Sequence, residues 1–535
     1  MKLQYLANNV LKETSLSNQE LEIHATNSEN RTLITVKALE DIVLVSASDG
    51  FDYKIDPNDT FFTNGYQSWS TTYESDIKKK EKKILRVFNL FKFLVLKPYG
   101  DYEWYETKKD RLHSYDFYYV KGNNEIFILN NNFKKAFLII ETLKNENVIN
   151  LYSDVEGKVL KKGQEFVLYD YEVYSTYEKG MAEFNSKYPH KNLNKIFGYT
   201  SWYNYYQNIN EKIILRDLAA LDDRFDLFQI DDGYETYVGD WLDVDKEKFP
   251  NGLTGIVEKI HSKGLKAGLW LAPFLAEKES KLVKEHPEYL KCDANGNPVM
   301  AGVNWSGPYI LDLQKTEVKE YIKKCLKHYA DMGFDFFKLD FIYASAYTHT
   351  DVTRAEASEE SYIFLKECLP GKTILGCGAT LGNVYNNFDY VRVGPDVSLD
   401  FDDKLYMRLL HRERPSTKNT VLNTIYRSFM NDRLFGNDPD VFLLRDQNLT
   451  LTKKQRYALA KLNALFGGVL MTSDDIATYD DEKKEILNKV LNIYRHAKDV
   501  KFETIGTKLH VSYKLDGEQL EFDYDTKKGI IENER

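Results

Sequence analysis

Three short runs in this chain share one grammar: apolar, β-branched or aromatic residues that end on an acid. They are Leu227-Phe-Gln-Ile-Asp231-Asp232, Phe334-Asp-Phe-Phe-Lys338-Leu-Asp340 and Tyr390-Val-Arg392-Val-Gly-Pro-Asp396. A carboxylate that closes a buried strand is costly unless it faces a cleft. Several such ends converge on one face of a parallel β/α barrel, and that face carries the chemistry of such barrels. The chain therefore reads as an α/β protein whose barrel works with paired carboxylates.

The texture around these runs supports the reading. From about residue 193 strand alternates with helix: 197–202, 227–232, 265–273, 334–341, 373–377, a short piece at 390, 440–445 and 468–473 count as eight strands. The 3.6-residue spacing predicts helices over 211–221, 253–263, 317–332, 356–369, 453–466 and 482–496, with Gly264 and Gly333 as C-terminal stops. The expected fold is a central (β/α)8 TIM barrel over 193–496. Residues 1–192 alternate as strands between Asn, Gly and Asp turns and predict an N-terminal β-sandwich domain. Residues 497–535 alternate as short hairpins that need a partner surface, so a small C-terminal β-domain packed on the barrel is expected.

A chain of 535 residues exceeds what one hydrophobic core usually supports, which agrees with several domains. A net charge of -10 argues against nucleic acid or an anionic membrane as partner and for a neutral small molecule. The lysine-rich stretch Lys78-Lys-Lys-Glu-Lys-Lys83 follows Glu74 and Asp76 and reads as a solvated loop. Four cysteines lie far apart, with no cluster at metal-ligand spacing, and suit a reducing compartment. The N-terminus lacks the apolar core of a secretory signal. The best apolar run, Ile84 to Leu96, is broken by Arg86, Asn89 and Lys92, so no membrane span is expected. A cytoplasmic location and a neutral small-molecule substrate follow, with oligomerisation left open; the oligosaccharide expected below rests on the site residues and the resemblance they carry.

Glycoside cleavage needs one acid to protonate the leaving oxygen and a second carboxylate to attack or stabilise the anomeric carbon. Asp340 and Asp396, at the ends of the fourth and sixth strands, have the right type and position. Lys338 lies two residues before Asp340, on the same side of the strand, where a cation favours an ionised nucleophile. Which of the two aspartates is the acid is not decided by these residues alone. Asp231 and Asp232 reach a common ligand only if their strand ends there, and Gly233 supplies that ending. Trp202, Tyr234, Trp241, Trp270 and Trp305 fall at or beyond strand ends, where flat apolar faces suit a pyranose. Plainer roles compete: a helix N-cap for Asp232, Asp312 or Asp389, a core position for an isolated Trp, an ion-pair partner for Lys338, and a small core filler for Cys377.

With those residues in view, the chain resembles the α-galactosidases of glycoside hydrolase family 36, in their compact bacterial form. The matching stretches run in order from Asn64-Gly-Tyr-Gln-Ser-Trp69 through Gly198-Tyr-Thr-Ser-Trp202, Phe228-Gln-Ile-Asp-Asp232, Gly239-Asp-Trp241, Gly268-Leu-Trp-Leu-Ala-Pro273, Phe337-Lys-Leu-Asp-Phe341, Gly376-Cys-Gly378 and Arg392-Val-Gly-Pro-Asp396 to Asn437-Asp-Pro-Asp440. The resemblance implies a retaining hydrolase without metal or other cofactor, with Asp340 as nucleophile and Asp396 as acid/base. It further implies that Asp231 and Asp232 hold the galactose 4- and 6-hydroxyls, that Lys338 and Arg392 bind ring hydroxyls near C2 and C3, and that Trp270 is an aromatic wall. By the same likeness Trp69 is lent to the site by the N-terminal domain, and Cys377 begins a loop that meets the C2 substituent. The small residues of that loop keep α-N-acetylgalactosaminidase activity open. Transglycosylation, a metal-dependent barrel lyase and a non-catalytic sugar-binding protein are the other readings.

Overall fold

The computed structural model describes residues 1–81, 99–101, 103–347, 351–402 and 415–535. The apolar run 84–96 and the end of the lysine stretch, Lys82 and Lys83, lie outside the described residues. Two compact units emerge.

The first unit comprises 1–189 with 343–364 and 380–385. Among the described residues it holds two antiparallel sheets of seven strands each, one built around Ile42–Asp52 and the other around Arg31–Ala38, Glu165–Tyr174 and Ile126–Asn130. The alternation in the sequence is what closes it. Leu3, Tyr5, Leu44 and Ile140 from one sheet and Val36, Tyr118, Ile128 and Leu168 from the other meet in a single core.

The second unit, 190–342 with 365–379 and 386–535, is organised on a sheet of nine parallel strands. In chain order these are β1 (Ile196–Thr200), β2 (Leu227–Ile230), β3 (Lys266–Leu271), β4 (Phe336–Leu339), β5 (Thr373–Gly376), β6 (Tyr390–Arg392), β7 (Gly436–Asp438), β8 (Val441–Phe442) and β9 (Val469–Thr472). Neighbours pair in sequence from β1 to β7; β9 returns to pair with β1 on one side and β8 on the other. Only Pro439 and Asp440 separate β7 from β8, and Asp440 sits in the left-handed region at φ 69°. Proline has no N–H for a ladder, so the break falls where pairing passes from β6 to β9. This is a parallel β/α barrel.

The connecting helices obey local rules. Asn210 caps Glu211–Ala220, Asp480 caps Asp481–His496, and Thr452 with Gln455 forms a capping box on Lys453–Phe466. Gly333, at φ 111°, ends Thr316–Met332. The tail forms a four-stranded antiparallel meander from Lys498 to Glu532. Its inner face packs on the helix Lys453–Phe466, where the buried Lys461 ammonium lies 4.3 Å over the Phe522 ring and 2.6 Å from Glu534. Among the described residues no helix is long and apolar enough to cross a membrane.

Candidate active site

The acids expected at strand ends gather at the carboxyl end of the barrel strands. β4 stops at Leu339, and the next residue, Asp340, is 7 % exposed. Its backbone N–H still pairs with Leu271 at the end of β3. Two donors fix its carboxylate: Trp270 Nε1 reaches Oδ2 at 2.9 Å and the Phe341 N–H reaches Oδ1 at 2.8 Å. Phe341 holds φ 55°, a turn that folds its own N–H back onto the preceding side chain.

Asp396 follows β6 across Gly394 and Pro395. A Cβ on Gly394 would lie 2.9 Å from the Thr420 backbone, so only glycine lets the chain pass there. Arg392 donates to Asp396 at 3.1 Å and also pairs with Asp438 and Asp440, each at 2.9 Å. The Asp396 side chain keeps 37 % of its surface accessible, whereas Arg392 keeps 4 %. Burial by the surrounding protein raises the Asp396 pKa; Arg392 and Lys338 oppose the rise, and Asp340 and Asp231 add to it. The mutual influence of Asp340 and Asp396 puts both carboxyls in one electrostatic environment.

Asp231 and Asp232 follow β2, and Gly233, at φ 115°, ends the strand where a Cβ would meet the Gln207 backbone at 2.7 Å. Asp231 Oδ2 accepts from Gln229 at 2.8 Å, Lys338 at 3.0 Å and Thr200 at 3.1 Å. Asp232 accepts from Trp305 Nε1 at 2.8 Å and from Gln207 Nε2 at 3.2 Å. Lys338 therefore pairs with Asp231 and only more weakly senses Asp340. Residues two apart on a strand are separated by roughly 6.6 Å along it, so the ammonium reaches across to the end of β2 instead. Burial alone would lower the Lys338 pKa, but Asp231 reverses that and raises it.

The aromatic candidates separate by position. Trp270 and Trp305 tilt toward each other with centroids 6.0 Å apart, and Phe341 lies 5.3 Å from Trp305. Trp241, only 1 % exposed, packs edge-on against Trp270 at 5.8 Å and supports that ring. Trp202 opens the helix Trp202–Tyr205 just after β1 and meets Tyr206 edge to face. Tyr234 is fully buried and donates to the Trp270 carbonyl at 3.2 Å. Cys377, directly after β5, is fully buried; burial first, then Asp340, push its thiol far above the ordinary range, which keeps it neutral.

Trp69 lies in the first unit, edge-on to Tyr343 at 5.4 Å and tilted against Tyr99 at 5.7 Å. The loop that carries it is tied by Asp101, which accepts from the Tyr66 N–H at 3.1 Å and Ser70 Oγ at 2.5 Å. His113 sits between Asp101 and Glu81 at 2.7 and 2.6 Å. Burial disfavours its charge, but the two carboxylates outweigh that and push its pKa up to about 10.

Several participants escaped the sequence reading. Asp438 and Asp440 hold Arg392, and Tyr203 donates to Asp440. Burial, partly offset by Arg392, pushes Asp440 up to about 7. The stretch Asn437-Asp-Pro-Asp440 carried the signal, an acid beside the proline that breaks a strand. Gln207, which donates to Asp232, gave none. Among the described residues no three His, Cys, Asp or Glu side chains cluster as metal ligands.

Fold and site together define a parallel β/α barrel with buried carboxylates set among tryptophans at the carboxyl ends of its strands. Residues 184–366 match the Melibiase family model. The α-galactosidase Mel36A of Lactobacillus acidophilus is 35% identical over 123 residues, 22% of this chain and 16% of the relative. A protein of Flavonifractor plautii named A type blood alpha-D-galactosamine galactosaminidase is 32% identical over 144 residues, 25% of this chain and 13% of its own length. These matches thus span under a fifth of either curated relative. In fold, the chain is similar to TtGalA, an α-galactosidase from Thermus thermophilus in complex with p-nitrophenyl α-D-galactopyranoside. That likeness has a TM-score of 0.70 at 23% identity and covers 93% of this chain and 98% of the other. The chain is thus similar to α-galactosidases in part of its sequence and to TtGalA in its fold.

Proposed function

We propose that the protein is a retaining α-galactosidase that removes terminal, non-reducing α-D-galactosyl residues from oligosaccharides. The observation that carries this reading is the unequal treatment of two neighbouring carboxyls. Asp340 is 7 % exposed and held by two N–H donors, whereas Asp396 keeps 37 % of its side-chain surface open, has the single donor Arg392, and is shifted toward its protonated form by the loss of solvation around it, against Arg392 and Lys338. Environments that push paired acids apart separate a nucleophile from a general acid. Asp340 attacks the anomeric carbon while Asp396 gives its proton to the departing glycosidic oxygen. A water that returns its proton to Asp396 then releases galactose from the Asp340 ester, with net retention.

Asp231 and Asp232 accept the 4- and 6-hydroxyls, Lys338 and Arg392 hold hydroxyls near C2 and C3, and Trp270 forms the wall under the ring. Trp202, Trp241 and Cys377 complete the assignment as binding or supporting residues of the second unit. The nine-strand ladder reads as an eight-stranded (β/α)8 barrel in which β7 and β8 are halves of one strand. The two sheets of the first unit read as a β-sandwich and the tail as a small third domain. Four free thiols suit a cytoplasmic enzyme.

A second reading, α-N-acetylgalactosaminidase, is favoured by the relative named as a galactosaminidase. Assay of nitrophenyl α-glycosides of galactose, N-acetylgalactosamine and glucose decides between them, with NMR of the first-formed anomer as the check on retention. Preference for the galactoside and an α-configured first product are expected; a β-configured product overturns the mechanism. Exhaustive chelation should leave the rate unchanged, and its loss would favour the metal-dependent lyase.

A further inference from the structure

The excursion between β3 and the helix Thr316–Met332 sends one side chain back to the strand ends, and a nearly buried acid outside the proposed mechanism holds it there. The strands Leu275–Glu277 and Pro308–Ile310 pair antiparallel as its stem, with Glu277 opposite Pro308. Beyond the stem a turn closes where the Gly307 N–H donates to the Asn304 carbonyl at 3.0 Å. Trp305 occupies that turn at φ 50°. A bulky residue in the left-handed region costs free energy and persists only where its surroundings dictate it, and such strain gathers at ligand clamps. The strained residue here is the one whose indole Nε1 reaches Asp232 Oδ2 at 2.8 Å.

Glu277 supplies the constraint. It is 7 % exposed. Its Oε2 accepts from the Ser306 N–H at 3.1 Å and from Ser306 Oγ at 2.7 Å, directly beside Trp305. Its Oε1 accepts from the Val238 N–H at 2.9 Å, in the loop after β2. Backbone ties reinforce both ends: the Glu277 N–H donates to the Val238 carbonyl at 2.8 Å and the Lys278 N–H to the Gly307 carbonyl at 3.1 Å. All three donors to the carboxylate are uncharged, and a carboxylate so far from water is costly unless it is fully hydrogen-bonded. The acid thus joins the loop that Asp232 opens to the turn that Trp305 occupies. These are the two segments whose side chains must meet.

We propose that Glu277 is a positioning residue, a latch that holds Trp305 so that its indole donates to Asp232 and stands beside the sugar. The inference rests on the α-galactosidase reading, in which Asp232 accepts a galactose hydroxyl. A donor fixed on Oδ2 sets the rotation of the Asp232 carboxylate, and so the direction of the lone pairs left for the ligand. Trp305 bonds to Asp232 rather than to Asp340 or Asp396. Loss of the latch should therefore weaken binding more than bond cleavage.

The test measures kcat, KM and the galactose inhibition constant in the full chain, in Glu277→Ala, in Trp305→Phe and in the double variant. Trp305→Phe keeps a ring and deletes the donor. Each single variant should raise the galactose constant about tenfold and KM with it, while kcat falls less than about threefold. Because Glu277 acts through Trp305, the double variant should stay within about threefold of the weaker-binding single variant, whereas independent losses multiply to about a hundredfold. A double variant beyond that threefold overturns the inference. So does a galactose constant within about twofold of wild type in Glu277→Ala, or a loss confined to kcat. Should Glu277→Ala not fold, Ser306→Ala carries the same cycle: it removes one donor to Oε2, should raise the constant about threefold alone, and should add nothing in the Trp305→Phe background. An undiminished effect in that background is the overturning result. A folded wild type that neither cleaves α-galactosides nor binds galactose sinks the activity reading instead, so the two failures are distinct.

Discussion

Trp270 Nε1 donates to Asp340 Oδ2 at 2.9 Å, so the side chain proposed as a wall of the sugar pocket also clamps the carboxylate proposed as nucleophile. The bond joins the end of β3 to the end of β4, neighbours in the barrel ladder. Replacing Trp270 by Phe keeps most of the apolar face and deletes the donor. A hydrogen bond to a charged group contributes about 1.5–3 kcal/mol, so Trp270→Phe should lower kcat about 10- to 100-fold with a smaller change in KM. Steady-state kinetics on a nitrophenyl galactoside checks this. A change confined to KM would mean that the indole N–H does not serve the nucleophile.

The proposed division of labour between Asp340 and Asp396 predicts opposite dependence on the leaving group. A nitrophenolate departs with little help from an acid, whereas a sugar alkoxide needs a proton. Asp396→Ala should thus lose several orders of magnitude on an oligosaccharide and far less in the first step on an activated nitrophenyl galactoside. Asp340→Ala should lose both. The ratio of kcat/KM on the two substrates, measured for both variants, reads the assignment, and swapped behaviour reverses the roles.

The pH dependence of stability provides a test away from the site. Asp116, in the first unit, is buried and held in the left-handed region at φ 63°; burial, against donors from Leu138 and Asn130, pushes it up to about 7. An unfolded aspartate titrates near 3.9, so between about pH 4 and 7 the folded protein keeps a proton that the unfolded chain releases. Stability therefore falls as pH rises through this window and is flat beyond it for this group. Asp116→Asn keeps an acceptor for both donors and suits the left-handed backbone. It should remove this part of the slope and add about 1–3 kcal/mol at pH 7.5, read by urea unfolding at several pH values. Asp440, also raised to about 7, retains its own share of the slope. An unchanged slope in the variant would mean that Asp116 is ionised in the folded protein throughout.

What the sequence disclosed and what it hid follow from how each feature is encoded. β2, β4 and β6 were visible because a buried parallel strand must be a continuous apolar run, and an acid at its end has few reasons to be there. β7 was invisible: Gly436–Asp438 has no apolar run, and its role comes from pairing with β6 rather than from its own pattern. The partner of Lys338 was likewise beyond local spacing, which placed it beside Asp340, while the fold brings Asp231 to 3.0 Å. Trp305 reaches Asp232 from the long excursion after β3, and nothing in its neighbourhood in sequence marks that return. Gln207 looks like any polar turn residue until the fold brings its amide to Asp232 at 3.2 Å.

The Lys338–Asp231 pair separates scaffold from site most sharply. Both side chains are nearly inaccessible, at 6 and 2 % exposure, so removing one charge strands the other. Lys338→Met should destabilise the protein by about 3–5 kcal/mol, because Asp231 must then protonate or remain buried without its cation. Asp231→Asn in the same chain takes away the stranded charge while keeping an oxygen for Gln229 and Thr200. The double variant should therefore recover most of the lost stability in urea unfolding. Galactosidase activity should not return with it, since both polar groups assigned to the sugar are changed. Recovery of activity together with stability would show that the pair serves the fold alone, and the hydroxyl contacts assigned to Lys338 and Asp231 would have to pass to other residues.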